Sequence, residues 1–434
     1  MYKPLRALIL CYDFPPFSSV GAQRPFTWFK YFHLSEVSPV VVTRHWDNVS
    51  GDSKTYIKSS TKRTIEKEVV SEGTIIYVPY TSNLRDKILL NYSSNPLARL
   101  VSKFLTLYLS IARFFTFSAD NTANIYSEAE KIMEAEKFDI IIATGEPFFV
   151  FRYASKLSKK FNVPWIADYR DGWSSNIGKN KFSFVKKMID KYVFEPIEKH
   201  IVSSAIRITT VVISLKEELQ EIMPSSKIDI IPNGYNPEEF IGVDSIQQKT
   251  ECFEIAYAGI VYPYHPVEIF LEGYRQFIKE SGCLNTRAVF YGLDFYEENK
   301  NRVLNFDPSL NKHIVTTQRI PRTEIFKKLS EAHLLLLLAN NSIDGSCTKI
   351  FEYLRLNRKI LLVLNEHRTL NKLMDECKGG IKCENVLDVI NGLTKSYEEF
   401  KQTKQVQHQS VNYEQFSRIK QAELFTKTIR ECVV

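Results

Sequence analysis

Two carboxylates, Asp344 and Glu352, stand eight positions apart in D-G-S-C-T-K-I-F-E. Before them lies a very apolar run, A-H-L-L-L-L-L-A at 332–339. Glu352 is the one polar residue inside I-F-E-Y-L, and Thr348 and Lys349 open the helical pattern that contains it. The apolar run reads as a buried strand, so the loop carrying Asp344 and Gly345 falls at its carboxyl end. A helix N-terminus there presents free backbone amides to a phosphate. Glu352, about one turn inside, can accept two hydrogen bonds from the hydroxyls of a ribose, and Asp344 can do the same for a second polyol. The pair therefore suits a sugar–diphosphate–ribose. A turn residue plus a solvated helix face is the plainer reading, and the isolation of Glu352 among apolar neighbours counts against it.

Ligands of open α/β sheets collect beyond the carboxyl ends of the strands, where loops meet helix starts. The same position marks other candidates. The first strand-like run is followed by C-Y-D-F-P-P-F-S-S-V-G-A-Q-R-P, residues 11–25. Ser18, Ser19 and Gly21 let amides turn towards an anion or a hydroxyl-rich group, and a helix is expected to begin near Arg24 or Pro25. Arg24 adds charge. A tight loop with a helix start is the structural alternative. The stretch is not G-x-G-x-x-G, and no acidic residue closes a second strand as a ribose clamp, so a dinucleotide oxidoreductase loses its support. W-I-A-D-Y-R-D-G-W, residues 165–173, puts Asp168, Arg170 and Asp171 where a strand stops, as a salt-bridged cluster or as a site lining. Gly145 and Glu146 in T-G-E-P-F-F and His45 in T-R-H-W land on the same rim. A lone histidine is usually structural. Later, Gly259 in Y-A-G-I-V-Y-P-Y-H-P permits a close backbone approach, and I-P-R-T-E at 320–324 can frame a flat ring.

The elements that must position these residues alternate in two series. Strand-like runs fall at 5–12, 37–43, 75–78, 138–143, 163–168 and 208–213, with helical patterns at 125–137, 148–160 and 182–204. A Pro-, Gly- and Asn-rich break follows at 232–250. New strands are expected at 254–258, 286–291, 313–316, 333–338 and 359–364, with helices at 266–280, 322–331, 348–356, 367–376 and 385–400. Such alternation predicts mostly parallel sheets covered on both faces. The 434 residues suffice for two cores or three.

A net charge of +7 suits an anionic ligand or membrane surface and gives little support to nucleic acid. Seven scattered cysteines form neither a disulfide framework nor a metal pattern, which reads as a reduced, cytoplasmic chain. No cleavable-signal pattern precedes the first strand. Residues 95–115 alternate Leu and Phe with Arg99, Lys103 and Arg113, too broken for a transmembrane span. They fit an interfacial segment or a helix packed on the first domain.

On these motifs the chain resembles a GT-B glycosyltransferase of the family-4-like, retaining, nucleotide-sugar-dependent type. The resemblance runs over nearly the whole chain and rests on Y-D-F-P-P…G-A-Q-R-P, W-I-A-D-Y-R-D-G-W, I-P-N-G-Y and the acidic pair ending in K-I-F-E-Y-L. It implies two Rossmann-like α/β domains facing across a cleft. The expected parts are residues 1–235 binding an acceptor, 236–411 binding the donor, and a C-terminal helix in 412–434 that crosses back to the first domain.

By the resemblance, Glu352 binds the nucleotide ribose, Asp344 contacts the donor sugar, and Gly21 lies near the donor phosphates. The candidate catalytic residues are Asp344, Asp171 and His45. The candidate donor-binding residues are Gly21, Arg24, Gly259, Arg319, Arg322, Lys349 and Glu352. The implied donor is a UDP- or GDP-sugar, with no permanently bound cofactor and no metal requirement. The implied acceptor is a glycan or lipid-linked saccharide, as in bacterial surface polysaccharide or glycolipid synthesis, at the inner face of a membrane that 95–115 could contact. Two departures stand out. Asp344 occupies a position where the family usually carries Glu. The loop I-V-Y-P-Y-H-P-V-E lacks the basic pair that many members use to hold the diphosphate, leaving Lys349, Arg319, Arg322 or Arg24 to supply it. The rivals are a sugar-nucleotide epimerase, a phosphorylase-type enzyme, and a non-catalytic binding partner on the same fold.

Overall fold

The computed structural model describes residues 4–47, 54–175, 184–339, 348–364 and 368–433. The chain divides into two compact units, one of Met1–Pro232 with Gln421–Val434 and one of Asn233–Lys420.

The first unit is built on eight strands: β1 (Leu5–Leu10), β2 (Val37–Arg44), β3 (Glu66–Val70), β4 (Gly73–Val78), β5 (Ile140–Gly145), β6 (Trp165–Tyr169), β7 (Arg207–Thr210) and β8 (Ile228–Ile230). Their order is β3-β4-β2-β1-β5-β6-β7-β8. Neighbours are parallel except β3, which runs antiparallel to β4. Every residue of β5 and β6 is buried, as expected of parallel strands covered on both faces. The second unit has six parallel strands: β9 (Phe253–Ala258), β10 (Thr286–Tyr291), β11 (Ile314–Thr316), β12 (Leu334–Leu338), β13 (Lys359–Val363) and β14 (Gly380–Cys383). Their order is β11-β10-β9-β12-β13-β14. The five leucines of β12 are all buried, with separate apolar clusters on the two faces of the sheet.

Four elements differ from the sequence expectation. The helix α1 (Val20–Tyr31) starts before Arg24, because the Ser19 hydroxyl accepts the Ala22 N–H at 3.0 Å and caps it, leaving Pro25 inside. Strand β3, E-K-E-V-V, lies on an edge and is largely exposed, so it carries no apolar run to find. Strands β8 and β14 have three and four residues, too short for a period. The C-terminal helix, Arg418–Val433, joins the first unit from Gln421 onward. There Phe425 meets Trp28 and Phe32 edge-on, and Arg430 donates to the Ser35 carbonyl at 2.8 Å.

Candidate functional site

In the second unit β9 ends at Ala258, and Gly259 follows with φ +109°, a conformation that side-chain-bearing residues rarely adopt. The helix Thr348–Leu356, which follows β12, sends Lys349 across this strand end. Its Nζ lies 3.1 Å from where a Cβ on Gly259 would stand, and it donates to the Tyr257 hydroxyl at 2.9 Å. The ammonium also sits over the Tyr257 ring, 4.2 Å from its centroid. A cation from the first turn of one helix thus occupies the space beside a loop that has no Lys or Arg of its own. Burial, with Lys349 and Arg302 nearby, pushes His265 of that loop down to about 3. The neutral imidazole accepts the Tyr262 N–H at 3.2 Å and fixes the turn.

Glu352 lies one turn further along the same helix and is buried. One of its oxygens accepts from Arg322 at 2.6 Å, and the other has no partner among the described residues. Arg322 also donates twice to Glu239, at 2.9 and 2.8 Å. Burial opposes the Arg322 charge, but Glu352 and Glu239 outweigh it and raise its pKa. Arg319 lies exposed, its guanidinium stacked 3.6 Å from the centre of the Phe295 ring. Phe295, Tyr296 and Tyr262 line a cavity of about 420 Å³ beside these strand ends. Gly259, Arg319, Arg322, Lys349 and Glu352 thus all fall at the carboxyl ends of β9, β11 and β12. Asp344 lies outside the described residues.

The first unit treats its charges differently. Arg24 is 5% exposed, and its guanidinium forms three hydrogen bonds to Asp168, at 3.2, 2.9 and 2.7 Å, and one to the Ile231 carbonyl at 2.8 Å. Asp168 is fully buried and also accepts from the Thr144 and Thr209 hydroxyls, at 3.0 and 2.6 Å. Arg24 is therefore committed to holding β5, β6 and β7 against α1. Gly21 lets Arg170 cross the start of α1: a Cβ there would meet the Arg170 Nη1 at 1.9 Å and Asp13 Oδ2 at 2.7 Å. Asp171 is 3.3 Å from the Arg170 Nε. His45 is held between Glu66, at 3.0 Å from its Nε2, and Asp47, at 3.4 Å from its Nδ1. These contacts put it beside the antiparallel edge, away from Asp171 after β6.

Sequence reasoning passed over Asp13, the first carboxylate after β1. It is nine-tenths buried, accepts from Ser19 at 3.2 Å, and keeps one oxygen without a hydrogen bond among the described residues. Burial pushes it up to about 6, against the lowering pull of Arg170 and Ser19. Its position after an apolar strand was the available signal. Tyr257 and Glu239 were also missed, since only the fold shows what they face.

A cavity of about 390 Å³ opens in the first unit beyond β1, β4 and β5. Tyr12, Tyr56, Tyr80 and Trp173 line it, with Glu146 and Arg113 among the charged groups. Trp173 stacks on Phe148 at 5.2 Å, giving one wall a flat aromatic surface. Arg44, buried beneath, donates to the Tyr12 hydroxyl and to the carbonyls of Tyr56 and Lys58. It thereby fixes two of the lining tyrosines. Among the described residues no cluster of His, Cys, Asp and Glu could hold a metal ion, and no helix is long and apolar enough to cross a membrane.

Residues 89–239 match the family model described as Glycosyltransferase Family 4. No curated protein matches the chain. Among solved structures, the chain is similar to sucrose-phosphate synthase from Thermosynechococcus elongatus, with a TM-score of 0.61 at 12% identity over 98% of each chain. It is also similar to Anabaena Alr3699/HepE in complex with UDP and glucose, at 0.56 and 10%, over 98% of this chain and 100% of that one. A third likeness is to a putative UDP-N-acetylglucosamine 2-epimerase from Listeria monocytogenes, at 0.50 and 11%, over 99% and 96%. At these identities the likeness shows the fold: two Rossmann-like α/β units with a C-terminal helix, the GT-B architecture.

Proposed function

We propose that this chain is an enzyme that acts on a nucleoside-diphosphate sugar, and that it transfers the glycosyl group to a hydroxyl acceptor. The observation that carries the proposal is the Lys349–Gly259–Glu352 arrangement. A diphosphate laid against the start of the helix Thr348–Leu356 meets the first-turn amides and the Lys349 ammonium, which lies 3.1 Å from where a Cβ on Gly259 would stand. The ribose then reaches the open oxygen of Glu352, and the Phe295 and Tyr296 rings with Arg319 give the base a flat neighbour. Lys349 supplies the charge that the Gly259 loop lacks. In this reading Asp344 serves the donor sugar, Gly21 and Asp171 belong to the acceptor unit, and Arg24 and Arg322 hold the residues around them.

Transfer with retention needs no protein nucleophile. As the bond from the anomeric carbon to the leaving diphosphate breaks, the acceptor oxygen bonds to the same face and its proton passes to a diphosphate oxygen. Lys349 neutralises the charge that develops there. The acceptor fits glycan or glycolipid synthesis on the cytoplasmic side of a membrane. Epimerisation of the same class of donor is the second reading, favoured by the likeness to the putative 2-epimerase.

Binding of UDP, GDP, ADP, CDP and dTDP by calorimetry tests the donor site. One of them should bind at micromolar strength, weakened about tenfold or more in both Glu352→Gln and Lys349→Met. Silence across the panel sinks the proposal. Incubating the matching nucleotide sugar without acceptor separates the two reactions, because only an epimerase converts it to a stereoisomer.

A further inference from the structure

A surface helix ordinarily turns its apolar stripe inward. The first unit contains one that does the reverse. Helix α2 (Leu84–Tyr92) leads into helix α3 (Pro96–Ala112). In α3 the spacing of Leu97, Leu100, Val101, Phe104, Leu107 and Tyr108 puts all six on one face. Each of the six is at least 41% exposed, while Ser102 is the helix's buried residue. Leu84 and Tyr92 of α2 and Phe115 beyond α3 extend the exposed apolar surface.

The charge along residues 84–115 is predominantly positive. Residues 84–115 hold Arg85, Lys87, Arg99, Lys103 and Arg113, against one acid, Asp86. Asp86 is 2% exposed and spent on capping α2, so it faces nothing outside. A second basic and apolar segment, with Lys186, Lys187, Met188, Lys191 and Tyr192 exposed, follows in residues 186–192. Both border the aromatic cavity: Thr106, Leu109 and Arg113 line it from one side, and Lys186, Asp190 and Phe194 from the other.

We infer that α3 and the 186–192 segment dock the first unit on a bilayer rich in anionic lipid, with the cavity mouth at the headgroups. The apolar stripe enters the boundary between headgroups and chains, and the basic residues pair with lipid phosphates. The acceptor is then an amphiphile whose polar head enters the cavity while its tail stays in the bilayer. The assignment of the acceptor rests on the transfer reading above; the membrane face does not.

Flotation of the full chain with vesicles of equal phosphatidylcholine and phosphatidylglycerol tests the face. Wild-type protein should float with them, far less with phosphatidylcholine alone, and lose at least tenfold in partition as Leu100→Glu/Phe104→Glu. Tryptophan fluorescence of the variant in urea, unchanged from wild type, reports that the first unit is folded, since all four tryptophans lie there. Lipids brominated near the headgroup should quench wild-type fluorescence more than that of Trp173→Phe, since Trp173 lines the cavity. Equal flotation of wild type and variant overturns the inference, as does a wild-type dimer that the variant dissociates, because a second copy would then cover the face. Flotation without nucleotide binding would leave the membrane face standing and sink the transfer reading alone.

Discussion

Both units set an arginine against a carboxylate near the carboxyl ends of their strands, and the two pairs are built to different ends. In the first, the Arg24 and Asp168 side chains are 4% and 0% exposed, and two threonine hydroxyls and a carbonyl complete the shell. In the second, the Arg322 and Glu352 side chains are 41% and 10% exposed, and one Glu352 oxygen has no partner among the described residues. A sealed ion pair with every lone pair answered holds strands together and leaves nothing for a ligand. An open pair keeps an acceptor available and leaves the cation in contact with water. Residue type alone does not separate architecture from site; the degree of sealing does.

Asp168→Asn should break the first pair and show the largest effect. It leaves the Arg24 charge buried without a counter-ion, which costs about 3–5 kcal/mol. All four tryptophans lie in the first unit, so their fluorescence in urea reads that unit directly. A loss below about 1 kcal/mol, the level of exposed pairs, would erase the contrast.

Asp13→Asn should act in the opposite direction and with pH. The Asp13 carboxyl is raised to about 6, so the folded chain holds the proton more tightly than the unfolded chain does. Its cost is absent at low pH, where both states are protonated, and full above about pH 6, where both are ionised. The asparagine should therefore stabilise the first unit by up to about 3 kcal/mol above that pH and leave it unchanged near pH 3. Tryptophan-detected melts across this range decide it. A destabilised variant at pH 7 would show that Asp13 is held by Arg170 as firmly as Asp168 is by Arg24.

Much of this was legible in the sequence, for reasons that also mark the limits. Parallel strands buried on both faces print as apolar runs such as L-L-L-L-L, so the two-sheet architecture and the rim positions could be read directly. Glu352 could be singled out because a lone acid in an apolar helical run must have a partner or a purpose. The partners themselves could not be read. Arg24 stands in the same kind of loop as a phosphate ligand would, and only its distance to Asp168, more than a hundred residues away, shows it to be committed. Lys349 was a candidate cation, but its place beside Gly259 depends on β9 and β12 being neighbours. The outward stripe of α3 has the same period as an inward one, because periodicity gives a face and not its direction.

Arg322→Met is the smallest expected effect and the closest test of the second pair. Its side chain is 41% exposed, so water already screens its attraction to Glu239 and Glu352. Removing it should cost about 1 kcal/mol or less, in the range of exposed ion pairs. The second unit has no tryptophan, so amide hydrogen exchange along Thr348–Leu356 is the suitable reading. Glu352 should stay in place, held by the apolar residues on either side of it in the helix, and the selected nucleoside diphosphate should still bind. A loss of about 3 kcal/mol or more would make this pair the equal of Arg24–Asp168. Glu352 would then be a structural anchor, and the ribose would need another acceptor in the same helix turn.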